Sequence, residues 1–147
     1  MTDIERILQE YCGVKRRIKD LELQLAEIEE KKAAEYDKLL KVKRLKADKV
    51  RGGPKHDPIV DAVSRLVDNY AARQKKIAEN MAAANGKLAF IEDIVAAAGL
   101  SEIEFRYVQL RYYKGVGYSE TAKSLYCSPR TCDRIRQRTI EKVEKAL

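Results

Sequence analysis

Histidine and cysteine are scarce in this chain of 147 residues. It has one histidine, no tryptophan and three cysteines, which are Cys12, Cys127 and Cys132. The cysteines form no CxxC pair, and a structural zinc site needs four ligands at characteristic spacings. We therefore expect no metal and no other cofactor. A sparse and odd set of cysteines is typical of proteins in a reducing compartment.

Glycine, proline and aromatic residues are also few. The chain has seven glycines and three prolines, and aromatic residues make up 7% of it. No stretch keeps the alternation of apolar and polar residues that is typical of strands. Charged residues make up 36%, and this composition favours helices with wide solvated faces. We therefore predict an all-α fold.

Long apolar runs are missing as well. No run approaches the roughly 20 residues of a membrane-spanning helix, and the first residues lack the apolar core of a signal peptide. There is no phosphate-binding glycine loop and no pair of nucleophile and base. We interpret His56 as a loop residue beside the helix cap Asp57. The expectation is a soluble, cytoplasmic protein that has no catalytic residues and is not an enzyme.

The positive charge is concentrated near the C-terminus. The formal net charge is +7. Residues 101–147 hold ten basic and six acidic residues, a net charge of +4, whereas residues 1–100 hold twenty and seventeen, a net charge of +3 over twice the length. A basic segment of this kind favours acidic partners such as nucleic acid.

Two long heptad patterns precede this basic segment. The first begins at the capping box Thr2–Glu5 and lapses at Lys32 and Glu35. A connector, 49–58, contains two glycines and two prolines, and Asp57 followed by Pro58 predicts the start of a second helix that ends at Gly99. The apolar stripes, spaced three and four apart, are Ile4, Ile7, Tyr11, Val14, Ile18, Leu21, Leu25, Ile28, Leu39 and Val42, then Ile59, Val63, Leu66, Tyr70, Ile77, Met81, Ala84, Leu88, Ile91, Val95 and Ala98. Polar Gln74 interrupts the second stripe, where one extra step of four makes a stutter.

Two helices of similar length with a short connector predict a long antiparallel hairpin, a coiled coil, over residues 1–99. Such a hairpin could be a spacer or scaffold. We favour an oligomerisation arm, a bundle formed by two chains, because the small residues Ala84 and Ala98 in the apolar stripe would allow a close approach there. The expected state is a homo-oligomer, a dimer or higher.

Residues 100–147 predict a small C-terminal helix-turn-helix domain. A second capping box at Ser101–Glu104 starts a helix that ends near Gly115. A short helix runs from Tyr118 to about Leu125, a turn follows, and Ser128 and Pro129 start the last helix. Two short helices joined by a tight turn form the helix-turn-helix pattern. The predicted inward face of the last helix is Cys132, Ile135, Thr139, Ile140 and Val143.

The opposite face of the last helix carries side chains suited to DNA. Arginine bonds guanine bidentately and glutamine does the same with adenine. For base readout we predict Arg130, Thr131, Asp133, Arg134 and Gln137. For phosphate contacts we predict Ser119, Lys123, Ser128, Arg136 and Arg138. The alternative is a solvated helix whose arginines pair with Glu141 and Glu144.

This C-terminal segment resembles the fourth conserved region of sigma-70 factors, a helix-turn-helix that reads promoter −35 elements. The resemblance rests on residues 111–113, 115, 118–122, 125, 128 and 132–143. The whole chain is similar to small phage and prophage regulators of the ArpU/RinA type. The resemblance implies a regulator of phage late genes in a bacterial host, with double-stranded DNA as partner and RNA polymerase as a further partner.

Three positions depart from the sigma-like pattern. Tyr126 stands where the turn usually has glycine, so a bulky residue must take a left-handed conformation. Thr121 replaces an inward isoleucine, and Gly117 replaces a Thr or Ser cap. The reading helix also differs, so the resemblance extends to docking geometry and not to the target sequence. The chain has no room for the sigma region that melts DNA.

Two alternative functions fit the same pattern. Small terminase subunits, which package phage DNA, also combine a helix-turn-helix with helical oligomerisation segments. Those proteins generally place the DNA module first, whereas here it comes last. The other alternative is a module that binds polymerase or another protein. Assemblies of eight or more chains would favour the first alternative, and failure to bind DNA would favour the second.

Overall fold

A computed structural model describes residues 2–47 and 58–147, with the side chains of 43–47 excepted. Every regular element in this part of the chain is a helix, and the predicted all-α class is confirmed. The α-helices are α1 (Asp3–Ala47), α2 (Pro58–Ala97), α3 (Glu102–Val108), α4 (Tyr118–Ser124) and α5 (Pro129–Ala146), and a π-helical turn, Gln109–Tyr113, continues α3. None of the described helices combines the length and the apolar character needed to cross a membrane.

The two long helices end largely where the sequence predicts. The first residue of α2 is Pro58, and Gly99, with a φ of 63°, follows its last turn as a left-handed cap. The predicted connector before Pro58, with His56 and Asp57, lies outside the described residues.

The helices α1 and α2 pack against each other along the predicted stripes. Near the start of α1, the Tyr11 hydroxyl donates to Glu92 Oε1 at 2.6 Å. Most of the buried apolar residues of the two helices were predicted, but Leu8 and Ile94 were not, because each flanks the strict heptad positions. The predicted stripe residues that are buried are Ile4, Tyr11, Leu21, Ile59, Tyr70, Ile77, Ala84, Ile91 and Val95.

The chain forms two compact units that do not follow the predicted boundary at residue 99. Unit 1 consists of Met1–Ile18 and Ala83–Leu147, and unit 2 consists of Lys19–Ala82. The start of α1 and the end of α2 therefore belong to the same unit as the helix-turn-helix.

One hydrophobic core explains this division. Leu8 and Val95 of the long helices lie in the same cluster as Tyr107, Ala122 and Cys132 of the C-terminal segment. A segment of fewer than 50 residues buries only a small apolar surface by itself, and the long helices enlarge its core. Heptad spacing predicts an apolar stripe but not which neighbour covers it, so this shared core could not be predicted from the sequence pattern.

In unit 2, polar side chains occupy the place where the predicted stripe of α1 lapses. Lys32 is half-buried, and Glu35 is exposed close to the hydroxyl of buried Tyr70 on α2. Burial, with the nearby Glu35 carboxylate second, raises the pKa of Tyr70. The Arg73 guanidinium lies 5.5 Å from the centre of the Tyr70 ring, a cation–π contact.

Candidate nucleic-acid interface

The third helix is fixed at its start by a cap and to the last helix by an ion pair. Ser101 Oγ accepts a bond from the Glu104 backbone N–H at 3.4 Å, so the predicted cap is confirmed. The buried Glu104 carboxylate also accepts from Lys142 Nζ at 2.7 Å. Because Lys142 belongs to α5, this pair holds α3 and α5 together.

The π-helical turn at the end of α3 widens the helix before the chain reverses. The Lys114 N–H donates to the Gln109 carbonyl, five residues earlier, at 2.8 Å. Gly115 follows with a φ of 70°, and a Cβ added there would lie 3.1 Å from Cys12 Sγ. Glycine is thus required at this position by backbone conformation and by space.

The tyrosines of this region belong mainly to the core. Tyr107 and Tyr112 are buried and pack edge to face with their ring centres 5.9 Å apart. Burial raises the pKa of Tyr107 to about 12. These two tyrosines are therefore part of the hydrophobic core. Tyr113 stacks on Tyr11 of α1 at 4.1 Å between ring centres.

The two departures in α4 have local explanations. Gly117 caps the helix with extended backbone and no side-chain bond. Thr121, which stands where isoleucine is usual, is fully buried, and its hydroxyl donates to the Gly117 carbonyl at 2.8 Å. A buried hydroxyl costs little when it is hydrogen-bonded in this way.

The turn between α4 and α5 contains the expected left-handed residue. Tyr126 has a φ of 55°, and its side chain is 94% exposed. The Tyr126 N–H donates to the Lys123 carbonyl and the Cys127 N–H to the Ala122 carbonyl, both at 3.1 Å. This pair of bonds is the Schellman motif, in which glycine usually fills the position that Tyr126 holds.

The last helix begins and packs as predicted. Ser128 caps it by accepting the Thr131 N–H at 3.2 Å, and Pro129 is its first residue. The Tyr118 hydroxyl of α4 donates to the Pro129 carbonyl at 3.2 Å. The buried residues of α5 are the five of the predicted inward face, Cys132, Ile135, Thr139, Ile140 and Val143.

Three arginines on the outer face of α5 have no partner in the described part of the chain. Arg130, Arg134 and Arg138 are all exposed, and their spacing of four puts them along one side of the helix. Within residues 2–42 and 58–147, none of them forms a hydrogen bond or ion pair with Glu141, Glu144 or any other side chain. Ser119 and Lys123 of α4 are exposed as well.

Arg136 lies in a different environment from these three arginines. Its Nε and Nη2 donate to the two carboxylate oxygens of Glu5 at 2.8 and 2.9 Å, and its side chain is 34% exposed. Its Nη1 donates to Asp133 Oδ1 at 3.3 Å, and Gln137 Nε2 donates to Asp133 Oδ2 at the same distance. Arg136, a predicted phosphate contact, is therefore bound to Glu5 and Asp133. Asp133 and Gln137, two predicted base readers, are bonded to one another.

Glu5 is the residue of this site that the sequence did not predict. Half of the predicted capping box is present, since Thr2 Oγ1 accepts the Glu5 N–H at 3.3 Å. The Glu5 carboxylate, however, binds Arg136 and also accepts the Tyr112 hydroxyl at 3.2 Å. The Arg136 hydrogen bonds hold the pKa of Glu5 below its usual value. The only signal in the sequence is that Glu5 stands next to Ile4 and three residues before Leu8, on the flank of the buried stripe.

Comparisons with known proteins give no match. No protein-family model, no curated protein and no solved structure matches this chain. What the site binds is therefore inferred from its geometry and charge. Its main features are a capped helix behind a tight turn, three unpaired arginines along that helix, and an exposed lysine and serine on α4.

Proposed function

We propose that the protein is a sequence-specific, double-stranded DNA-binding transcription regulator that lays α5 in the major groove. The observation that carries the proposal is the row of Arg130, Arg134 and Arg138, which are exposed and unpaired in the described part of the chain. Arginine side chains without partners along one helix face repel one another, and their guanidinium groups can bind phosphates and guanine.

The roles along α5 follow from distance to its start. In helix-turn-helix proteins the first turns of the second helix reach the base edges. Arg130, Thr131 and Arg134 are accordingly the base readers, and Gln137 joins them if its bond to Asp133 opens. Ser128 and the Arg130 backbone amide at the start of α5 favour a phosphate, since Pro129 has no N–H and the Thr131 N–H is bonded to Ser128.

The phosphate contacts are revised at one position. Lys123, Ser119 and Arg138 are exposed and stay in this role. Arg136 is held by Glu5, so we assign it to the positioning of α5 and not to a phosphate. The same network holds Asp133, whose carboxylate faces Arg136 and Gln137 and is thereby directed along the helix surface.

The biological setting is a separate part of the proposal. The resemblance to ArpU/RinA-type regulators supports a phage late-gene regulator that acts in the bacterial cytoplasm as an oligomer, with RNA polymerase as a further partner. An oligomer would present several copies of α5, and linked modules gain avidity on paired half-sites.

The experiment is selection of bound duplexes from a random library, followed by binding measurements on variants. Arg134→Ala should relax the sequence preference, whereas Lys123→Ala should weaken binding to all duplexes alike. Arg16→Ala, an exposed cation on α1, is the matched control and should leave binding unchanged. Equal losses from all three variants, or no enrichment of any sequence, would contradict the assigned roles.

A further inference from the structure

Two of the three cysteines lie together at the start of α5. Cys127 is the residue before the cap Ser128, and Cys132 is the fourth residue of the helix. These two positions are the ones whose side chains pack on one another in the hydrophobic staple of a helix N-terminus. In this chain the Cys127 thiol lies close to the Cys132 thiol. A pair of thiols therefore fills positions that apolar side chains usually fill.

The two thiols differ in their access to solvent. Cys132 is fully buried in the core of unit 1, whereas Cys127 is half-buried and packs against that core. The Cys127 Sγ donates to the Ala122 carbonyl at 3.7 Å. Burial raises the pKa of the Cys132 thiol, and a buried thiol of raised pKa reacts slowly with dissolved reagents because the thiolate is the nucleophile. Cys127 is therefore the thiol that a dissolved oxidant meets first, and Cys132 is the thiol beside it.

We propose that Cys127 and Cys132 form a dithiol site, which small disulfides oxidise reversibly to an intrachain disulfide, and that the oxidised form binds DNA less tightly. Disulfides in a reducing compartment, where they occur, are usually transient and redox-sensing. The effect on DNA rests on the proposed function, whereas the oxidation itself does not depend on it.

The oxidation consists of two thiol–disulfide exchanges. In the first, the Cys127 thiolate attacks one sulfur of the small disulfide, whose S–S bond breaks, and the leaving sulfur takes up the proton that Cys127 lost. In the second, Cys132 loses its proton and attacks Cys127 Sγ, which forms the protein disulfide and releases the other half of the reagent as a thiol. Two cysteine thiols are oxidised and one small disulfide is reduced to two thiols, so no further reactant is needed.

The disulfide changes the start of α5 because the two sulfurs must come closer together. An S–S bond is about 2.05 Å long, well inside the contact distance of two unbonded sulfurs. The ring that it closes contains Ser128 and Thr131 with the capping hydrogen bond between them, and Arg130, a proposed base reader, lies in the same segment. The oxidised Cys127 also has no hydrogen to donate to Ala122. We therefore expect oxidation to displace Arg130 from the position in which it reads a base.

The first test is a peptide map of the full chain after exposure to oxidised glutathione without denaturant. Trypsin separates the two cysteines, which fall on the adjacent peptides 124–130 and 131–134. After free thiols are trapped with N-ethylmaleimide, we expect these two peptides to be joined by a disulfide, and a reductant should separate them. Cys132→Ser should instead keep glutathione bound to Cys127, and Cys127→Ser should give no protein disulfide.

Cys12→Ser is the matched control, since Cys12 is the remaining thiol, is half-buried like Cys127 and belongs to α1. This variant should give the same joined peptides as the natural chain. Circular dichroism and melting temperature establish that each variant is folded. A natural chain that stays reduced, that keeps glutathione on Cys127 without a protein disulfide, or that joins Cys12 to another cysteine would overturn the proposal.

The second test compares the reduced and oxidised natural chain on a duplex enriched from the random library. We expect the oxidised form to bind at least roughly tenfold more weakly, and a reductant should restore the affinity. Cys127→Ser should bind equally well before and after exposure to oxidised glutathione. Equal affinities of the two forms of the natural chain would overturn the effect on DNA binding. If neither form binds any duplex, the proposed function fails as well, whereas the peptide map still decides whether the disulfide forms.

Discussion

Both carboxylate oxygens of Glu5 accept hydrogen bonds from the guanidinium of Arg136, which lies 131 residues further along the chain. The Glu5 side chain is 6% exposed. This bidentate pair fixes the first turn of α1 to the middle of the helix that we propose reads DNA. The orientation of α5 thus depends on a residue at the opposite end of the chain.

Removing the Glu5 charge should destabilise unit 1. Glu5→Gln leaves Arg136 without its main partner, and a hydrogen bond to a charged group contributes about 1.5–3 kcal/mol. We expect the free energy of unfolding to fall by about 2 kcal/mol in urea titrations. Glu10→Gln, an exposed carboxylate on the same helix, should have almost no effect. Equal stability of the two variants would show that the pair contributes nothing.

The same pair should make stability depend on pH in the acid range. The pKa of Glu5 in the folded state is lowered from its ordinary 4.5, chiefly by the Arg136 hydrogen bonds. A lowered pKa contributes stability that is present above the unfolded value and is lost as pH falls through the folded one. The stability difference between the natural chain and Glu5→Gln should therefore be full near neutral pH and shrink from about pH 5 downward. A difference that stays constant to about pH 3 would contradict this.

Tyr126 should be a site where substitution by glycine stabilises the protein. A left-handed backbone costs an ordinary residue about 1–2 kcal/mol, and glycine escapes most of that cost. We expect Tyr126→Gly to raise the free energy of unfolding by about 1 kcal/mol. Tyr126→Ala removes the ring but keeps the strain, so it should give no such gain. If the two variants are equally stable, the strain at Tyr126 is absent.

Two glycines should respond to alanine in opposite directions. Gly115→Ala meets both a φ of 70° and the Cys12 sulfur at 3.1 Å, and we expect a loss of about 2 kcal/mol or more. Gly86 lies within α2 and has open space around it, so Gly86→Ala should gain about 0.5–1 kcal/mol. Thermal melts of the two variants give the signs directly, and shifts in the same direction would refute the prediction.

Alanine variants of Arg136 and Arg138 should differ in their effects on stability and on DNA binding. Arg138→Ala should leave the melting temperature unchanged and lower the log–log salt slope of DNA affinity by just under roughly one unit. Arg136→Ala should lower the melting temperature, because it leaves buried Glu5 unpaired. If Arg136→Ala instead left the melting temperature unchanged and lowered the salt slope as Arg138→Ala does, Arg136 would be a phosphate contact, as the sequence predicts.

Local features of this chain were predictable because they depend on near neighbours. The caps at Ser101 and Ser128 and the buried face of α5 follow from spacings of three to five residues, and the left-handed Tyr126 follows from the resemblance to the sigma-like turn. In each case the side chain that satisfies the backbone, or the next turn of the helix, is close in sequence.

Long-range contacts were not predictable in this way. Nothing near Glu5 in the sequence indicates Arg136, and the capping box offered a local use for the same carboxylate. The shared core of unit 1 was missed for a similar reason, since a stripe that includes Ile4 and Ile91 has the same period whether a helix partner or a small domain covers it. Of the predicted site, Arg130, Arg134, Arg138 and Lys123 remain exposed, whereas Arg136 does not.

The joining of Met1–Ile18 with Ala83–Leu147 in one unit has a consequence for dissecting the protein. A fragment cut at residue 100 would lose Leu8 and Val95 from its interior and would expose the tyrosines that pack on them. A minimal fragment for testing the proposed DNA binding should instead delete 19–82 and close the gap with a short loop, which keeps both chain ends. During synthesis, by the same reasoning, this core can form only after α5 has been made, although the start of α1 is made first.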